Sequence, residues 1–263
     1  MLKNRINIQF EKLKKNNGSA LVPYLTAGFP DRETFVDLSL KILDNGADML
    51  EIGVPFSDPL ADGPTIQKTN FQAIQNGITL SECINLLGLI RKSNAESPAI
   101  FMGYFNPFLA YGIDDFLLQS SQVGLDGLIV PDLPISESKQ ISEKCFNSGI
   151  HLIPLLAPTS TEETIQKACE QAKGFIYCVS LTGVTGARKN LSLGVETLVK
   201  KIKSYTDVPV LVGFGVSKRE DVLKISKFSD GAVVGSAFLD SIQNSEQNKK
   251  VKAGVDFVKK LAN

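Results

Sequence analysis

Eight short runs rich in β-branched and other apolar residues recur along the chain with amphipathic stretches between them, and this alternation constrains the fold more than any other feature. The runs are 20–26, 47–53, 99–104, 127–131, 151–156, 174–179, 209–212 and 231–235. Helical periodicity falls between them, over 31–44, 79–93, 114–123, 136–148, 161–171, 194–203 and 218–227. Strands that alternate with helices pair in parallel, because each helix returns the chain to the edge where the previous strand began. Eight such units favour a closed (β/α)8 TIM barrel over a doubly wound open sheet. The first 15 residues space Leu2, Ile6, Ile8, Phe10 and Leu13 among charges, which predicts an extra N-terminal helix and does not resemble a signal peptide. With 263 residues, 43% of them apolar, and no linker or low-complexity segment, one barrel domain over 1–263 is expected.

Punctuation agrees with this layout. Pro30-Asp31 supplies an N-cap for the helix after the first strand, and Asn45-Gly46 closes that helix. Two connections are long, 53–64 and about 180–193, and both follow strand C-termini, where barrel active sites are built. Lys and Arg total 28, as do Asp and Glu, so no basic surplus points to a nucleic acid or an anionic membrane, and no run of about 20 apolar residues is present. A small-molecule substrate and a soluble protein are expected. Cys83, Cys145, Cys169 and Cys178 are widely spaced and read as buried thiols of a reducing compartment, either the bacterial cytoplasm or the plastid stroma. His151 is the only histidine and starts a strand, which favours a structural role and leaves no imidazoles for a metal site.

Glu51 breaks the apolar pattern. It stands among Met49, Leu50 and Ile52 near the end of the second strand, on the same face as Met49 and Gly53 by the two-residue period. Burying a carboxylate there is unfavourable unless it is partnered or protonated, and a raised pKa suits a group that must give and take protons. No strand contains a Lys or Arg to neutralise it. Asp62 follows on a loop stiffened by Pro55, Pro59 and Pro64, and reads equally well as a catalytic carboxylate or a turn cap, as does Asp58. Asp132 closes the fourth strand and is explained as a cap for the helix after it. Gly213-Phe214-Gly215 after the seventh strand, Gly235-Ser236 after the eighth and Gly186 in the long sixth loop could turn backbone N–H groups toward a phosphate. Without a strand lysine or a histidine cluster, Schiff-base and metal-dependent aldol chemistry lack their usual groups.

The segment EIGVPFSDPLADGPT, Glu51 to Thr65, resembles the signature of the tryptophan synthase alpha chain family. Pro23-Tyr24-Leu25-Thr26-Ala27-Gly28, Pro131-Asp132-Leu133-Pro134, Gly183-Val184-Thr185-Gly186 and Gly213-Phe214-Gly215 extend the likeness over nearly the whole chain. The resemblance implies retro-aldol cleavage of indole-3-glycerol phosphate to indole and D-glyceraldehyde 3-phosphate. It implies Glu51 as proton donor to indole C3 and Asp62 as the partner of the indole N–H. Tyr24 would wall the indole and Tyr177 would be a pocket tyrosine near Glu51; Gly186, Gly215, Gly235 and Ser236 would hold the phosphate; Thr185 would meet Asp62 on loop closure. Leu181 stands where some relatives carry Arg. No cofactor is implied in this chain, pyridoxal phosphate being expected only in a beta chain partner, within an alpha2beta2 heterotetramer contacted through Asp58 and the Asn106-Pro107-Phe108 region. A sugar-phosphate isomerase of histidine biosynthesis would need an Asp at the end of the first strand, where this chain has Tyr24-Leu25-Thr26. A degenerate, non-catalytic barrel is disfavoured by the intact Glu51 and Asp62.

Overall fold

The computed structural model describes residues 4–179, 188–213 and 215–262, with the backbone alone at 188–193. Its strands are β1 (Ala20–Thr26), β2 (Leu50–Gly53), β3 (Ala99–Met102), β4 (Gly127–Ile129), β5 (His151–Leu152), β6 (Leu155–Leu156), β7 (Ile176–Val179), β8 (Val210–Gly213) and β9 (Gly231–Val234). All pair in parallel, in the order β5-β4-β3-β2-β1-β9-β8-β7-β6. The two ends of that order are halves of the single predicted strand 151–156. Ile153 donates its N–H to Leu128 O (2.8 Å) on one side, and Pro154 O accepts from Tyr177 N–H (3.0 Å) on the other. Pro154 has no N–H to offer, so the ladder changes partner there and the eight-stranded barrel closes through this segment.

The helices are α1 (Arg5–Lys15), α2 (Arg32–Leu43), α3 (Pro64–Gln75), α4 (Leu80–Ser93), α5 (Phe105–Tyr111), α6 (Ile113–Gln122), α7 (Lys139–Asn147), α8 (Glu162–Gln171), α9 (Arg188–Lys203), α10 (Arg219–Ile225), α11 (Ser236–Gln243) and α12 (Lys250–Ala262). Asp31 caps α2 as expected, accepting from Thr34 N–H at 2.8 Å. Helix α9 starts at Arg188, earlier than the expected 194, so the sixth loop is shorter than its sequence suggests. Helix α3 was not expected, because the positions it buries are Thr69, Asn70 and Ala73, which leave no apolar stripe to detect.

Two apolar layers result. Inside the barrel, Ala20, Val22, Met49, Ile100, Ile129, Ile153, Phe175, Leu211 and Val233 pack together, and α1 plugs the N-terminal end with Ile6 and Phe10. His151 Nε2 lies 2.7 Å from Asn7 Oδ1, tying α1 to β5, and burial lowers its pKa to about 4, which fits the structural role expected of it. All four cysteines are buried and free.

A repeated device stitches the N-terminal ends of the strands. Asp48, Asp126 and Asp230 each donate a backbone N–H to the carbonyl of a residue on the neighbouring strand. Each carboxylate then accepts that same residue's N–H: Leu21 (2.8 Å), Ala99 (2.9 Å) and Val210 (2.8 Å). Asp126 is also paired with Arg91 (2.6 Å) and Arg5 (2.9 Å). Removing one partner of a buried ion cluster leaves charge uncompensated, so Asp126→Ala is expected to destabilise the fold by about 3 kcal/mol, read as a lower urea midpoint at unchanged m-value.

Candidate active site

The inward face of β2 runs through Met49, Glu51 and Gly53, and it carries Glu51 from the apolar interior to the mouth of the barrel. Glu51 is 2% exposed and lies in register between Tyr24 on β1 and Ile100 on β3. Burial, reinforced by the nearby charge of Asp62, raises its pKa to about 8. The period-2 reading of the sequence therefore placed this carboxylate on the correct face.

Asp62 ends the loop between β2 and α3. Its N–H donates to Pro59 O at 3.2 Å, and Gln67 Nε2 donates to its carbonyl at 2.8 Å. Burial raises the carboxyl to about 6, while hydrogen bonds from Asn70 and Tyr104 hold it back. The Asn70 contact, Nδ2 to Oδ2, is 3.1 Å. Tyr104, just beyond β3, accepts the Ala61 N–H on its hydroxyl at 2.8 Å and packs its ring 5.3 Å from that of Phe56. The loop is thereby fastened on both sides of Asp62.

Two buried tyrosines face these carboxyls. Burial first, then the charge of Asp62 and that of Glu51, pushes the Tyr24 phenol well up; burial and Glu51 do the same to Tyr177. Each hydroxyl occupies space vacated by a glycine. A Cβ on Gly53 would lie 2.0 Å from the Tyr24 hydroxyl, and one on Gly213 would lie 2.2 Å from the Tyr177 hydroxyl. Gly53→Ala is accordingly expected to displace Tyr24 and raise KM for the substrate about tenfold with a smaller change in kcat, checked by steady-state kinetics at constant pH.

Gly235 is the N-cap of α11 and no side chain occupies the cap, which leaves the first N–H groups of that helix without a capping side chain. Gly235 approaches Tyr24, whose Cβ lies 3.7 Å from the point where a Gly235 Cβ would stand. Gly215 has φ +45°, a left-handed conformation suited to glycine, with no heavy atom near its side-chain position. Ser236 is the first residue of α11. Thr185, Gly186, Gly183 and Leu181 lie outside the described residues.

Several expectations need adjustment. Asp132 Oδ1 accepts from Phe105 N–H at 2.9 Å, so it caps α5 of the preceding unit and not the helix after it. Phe108 is fully buried against Phe116, with ring centroids 4.7 Å apart. Asn106 and Asp58 are exposed, and Leu60 (95% exposed) and Leu109 (51%) add apolar surface beside them. Asn70 and Tyr104 were not singled out from sequence, and Gly213 was noted only as a candidate phosphate-loop glycine and not for the space it leaves the Tyr177 hydroxyl. Tyr104 closes a predicted strand on the catalytic face, a signal that could have found it; Asn70 offered none.

Among the described residues no group of three or more His, Cys, Asp or Glu could hold a metal ion. The family profile of the tryptophan synthase alpha chain matches residues 10–262. The tryptophan synthase alpha chain of Thermoanaerobacter pseudethanolicus is 44% identical over 262 residues, covering 98% of this chain and 99% of that one. A crystal structure of the tryptophan synthase alpha subunit from Legionella pneumophila superposes with a TM-score of 0.91 at 34% identity, over 98% of this chain and 97% of that one. A chain in a crystal structure of Mycobacterium tuberculosis tryptophan synthase does so with a TM-score of 0.88 at 32% identity, over 98% of both. A likeness that runs through the whole barrel at this identity settles the family, and the chain belongs to the tryptophan synthase alpha chain family.

Proposed function

We propose that Glu51 and Asp62 divide the labour of the family's reaction between them. That reaction is the retro-aldol cleavage of indole-3-glycerol phosphate to indole and D-glyceraldehyde 3-phosphate, a carbon–carbon lyase step of L-tryptophan biosynthesis. The alpha chain carries no cofactor; pyridoxal phosphate belongs to the beta chain, its partner. Protonation of indole C3 by Glu51 breaks the aromaticity of the pyrrole ring and leaves positive charge on the ring nitrogen. Asp62, ionised and hydrogen-bonded to the indole N–H, stabilises that charge. Glu51, now a carboxylate, withdraws the proton from the adjacent glycerol hydroxyl. The carbon–carbon bond breaks, its electrons restore the indole, and the hydroxyl carbon leaves as the aldehyde.

The observation that carries this reading is the separation of the two carboxyls, at about 8 for Glu51 and about 6 for Asp62. At neutral pH one holds its proton and the other does not, which is the arrangement an acid and an electrostatic partner require. In this reading Tyr24 walls the indole and Tyr177 lines the pocket near Glu51. In the same reading Gly186, Gly215, Gly235 and Ser236 hold the phosphate, and Thr185 meets Asp62 when the loops close. The beta chain docks beside Asp58, Asn106, Leu60 and Leu109, in an alpha2beta2 assembly. Among the described residues no helix is long and apolar enough to cross a membrane, and the spacing of the cysteines supports a reducing compartment, bacterial cytoplasm or plastid stroma. An assay of indole release from indole-3-glycerol phosphate, with and without a beta chain, tests the reading; absence of turnover in both would overturn it.

A further inference from the structure

Asn70 places an amide where a helix of this kind would ordinarily bury an alkyl group. It is 2% exposed, its Nδ2 donates to Asp62 Oδ2 at 3.1 Å, and its Oδ1 is buried with no partner among the described residues. A buried carbonyl without a donor is unfavourable, so half of this side chain is working and half is not.

The helix beneath it is well anchored. Thr69 shares a hydrogen bond with Thr26 at 2.6 Å, Thr65 donates to Asp240 at 3.0 Å, and Gln72 and Asn76 donate to the Pro30 carbonyl at 3.2 and 2.8 Å. Asp62, by contrast, lies on the loop that leads into the same helix. Asn70 therefore offers a fixed reference against which a loop carboxylate is aligned.

An ionised carboxylate only accepts hydrogen bonds, whereas a protonated one also donates. The terminal torsion of Asn is roughly two-fold, and half a turn exchanges its NH2 for its carbonyl oxygen. With NH2 toward Asp62 the amide matches the carboxylate, and with Oδ1 toward Asp62 it matches the acid. The unpartnered Oδ1 is the acceptor that a protonated Asp62 would need.

We infer that Asn70 is a positioning residue for the reaction: its amide aims Asp62 and holds it ionised in the resting site, then turns over so that its Oδ1 accepts a hydrogen bond from the acid when Asp62 is protonated. This rests on the role of Asp62 given above. The titratable groups facing Asp62 are Glu51 from β2, Tyr24 from β1 and Tyr104 from the end of β3, with Asp132 beyond Tyr104. Burial opposes ionisation of Asp62; Asn70 and Tyr104 are the groups that favour it.

The test compares the wild-type chain with Asn70→Ala and the volume-conserving Asn70→Leu. Infrared difference titration follows the Asp62 carboxyl band, identified as the band lost in Asp62→Asn, and kcat/KM for indole-3-glycerol phosphate is measured across pH. Both Asn70 variants are expected to move the Asp62 midpoint up by about one pH unit, to carry the acid limb of kcat/KM with it, and to lower kcat about tenfold with little change in KM. A purely packing role predicts that the leucine variant behaves as wild type. An unmoved band in a folded Asn70→Leu chain, with wild-type turnover intact, overturns the inference alone. A moved band in a chain whose wild type does not cleave the substrate overturns the role of Asp62, and with it that of Asn70 in turnover.

Discussion

Glu51→Gln is expected to lower kcat for indole release on the order of 10³-fold while leaving substrate affinity within a few-fold of wild type. Glutamine fills the same volume beside Tyr24 and Ile100 but has no proton to give to C3 and no anion to receive the one on the hydroxyl. The wild-type pH profile carries the same information. Free-enzyme groups set kcat/KM, so activity should rise as Asp62 ionises near 6 and fall as Glu51 ionises near 8. The basic limb should vanish in Glu51→Gln, and full activity in that variant would show that the proton donor lies elsewhere.

Stability gives an independent reading of the same carboxyl. In the folded chain Glu51 keeps its proton up to about 8, whereas an unfolded Glu releases it near 4.5. Between those values the unfolded state binds fewer protons, so this group makes stability fall as pH rises through the window. Glutamine removes that slope. The difference in Tm between pH 5 and pH 8 should therefore be smaller in Glu51→Gln than in the wild type, whatever happens to turnover.

Asp62→Asn is expected to lower kcat on the order of 10²-fold and to abolish the acid limb near 6. An amide oxygen still accepts the indole N–H, but it carries no charge to offset the cation that forms on C3 protonation. A second consequence follows from electrostatics. The charge of Asp62 is part of what raises Glu51, so its removal should move the basic limb to lower pH. Unchanged kinetics in this variant would leave Asp62 as a turn residue, the alternative that its loop position allows. A loss of rate with both limbs in place would point to distortion of the loop instead.

Much of the scaffold is legible in the sequence. All eight strand positions are recovered, with ends displaced by a few residues, because alternation, β-branching and Gly or Asp punctuation are local properties. The fifth strand is the exception in detail. Only the barrel shows that His151–Leu152 pairs with β4 and Leu155–Leu156 with β7, since the change of partner at Pro154 depends on two strands far away in sequence. Helix α3 was invisible for a different reason. Its buried face is Thr69, Asn70 and Ala73, residues that are inside because they serve Thr26, Asp62 and close packing, and no hydrophobic period marks them.

Sequence alone determined that this chain forms parallel βα units and that Glu51 is a carboxylate out of place in an apolar strand. Both follow from the residue types along a few consecutive positions. Tertiary structure alone decided how far each carboxyl is desolvated, which charge it feels and which amide or phenol reaches it. Those depend on groups brought together through space: Asp62 beside Glu51, Asn70 from α3, Tyr104 from the end of β3 and Tyr24 over Gly53. The electric environment that separates the two acids is a property of that assembly, because burial and Coulomb interaction fall off with distance in space and take no account of distance along the chain.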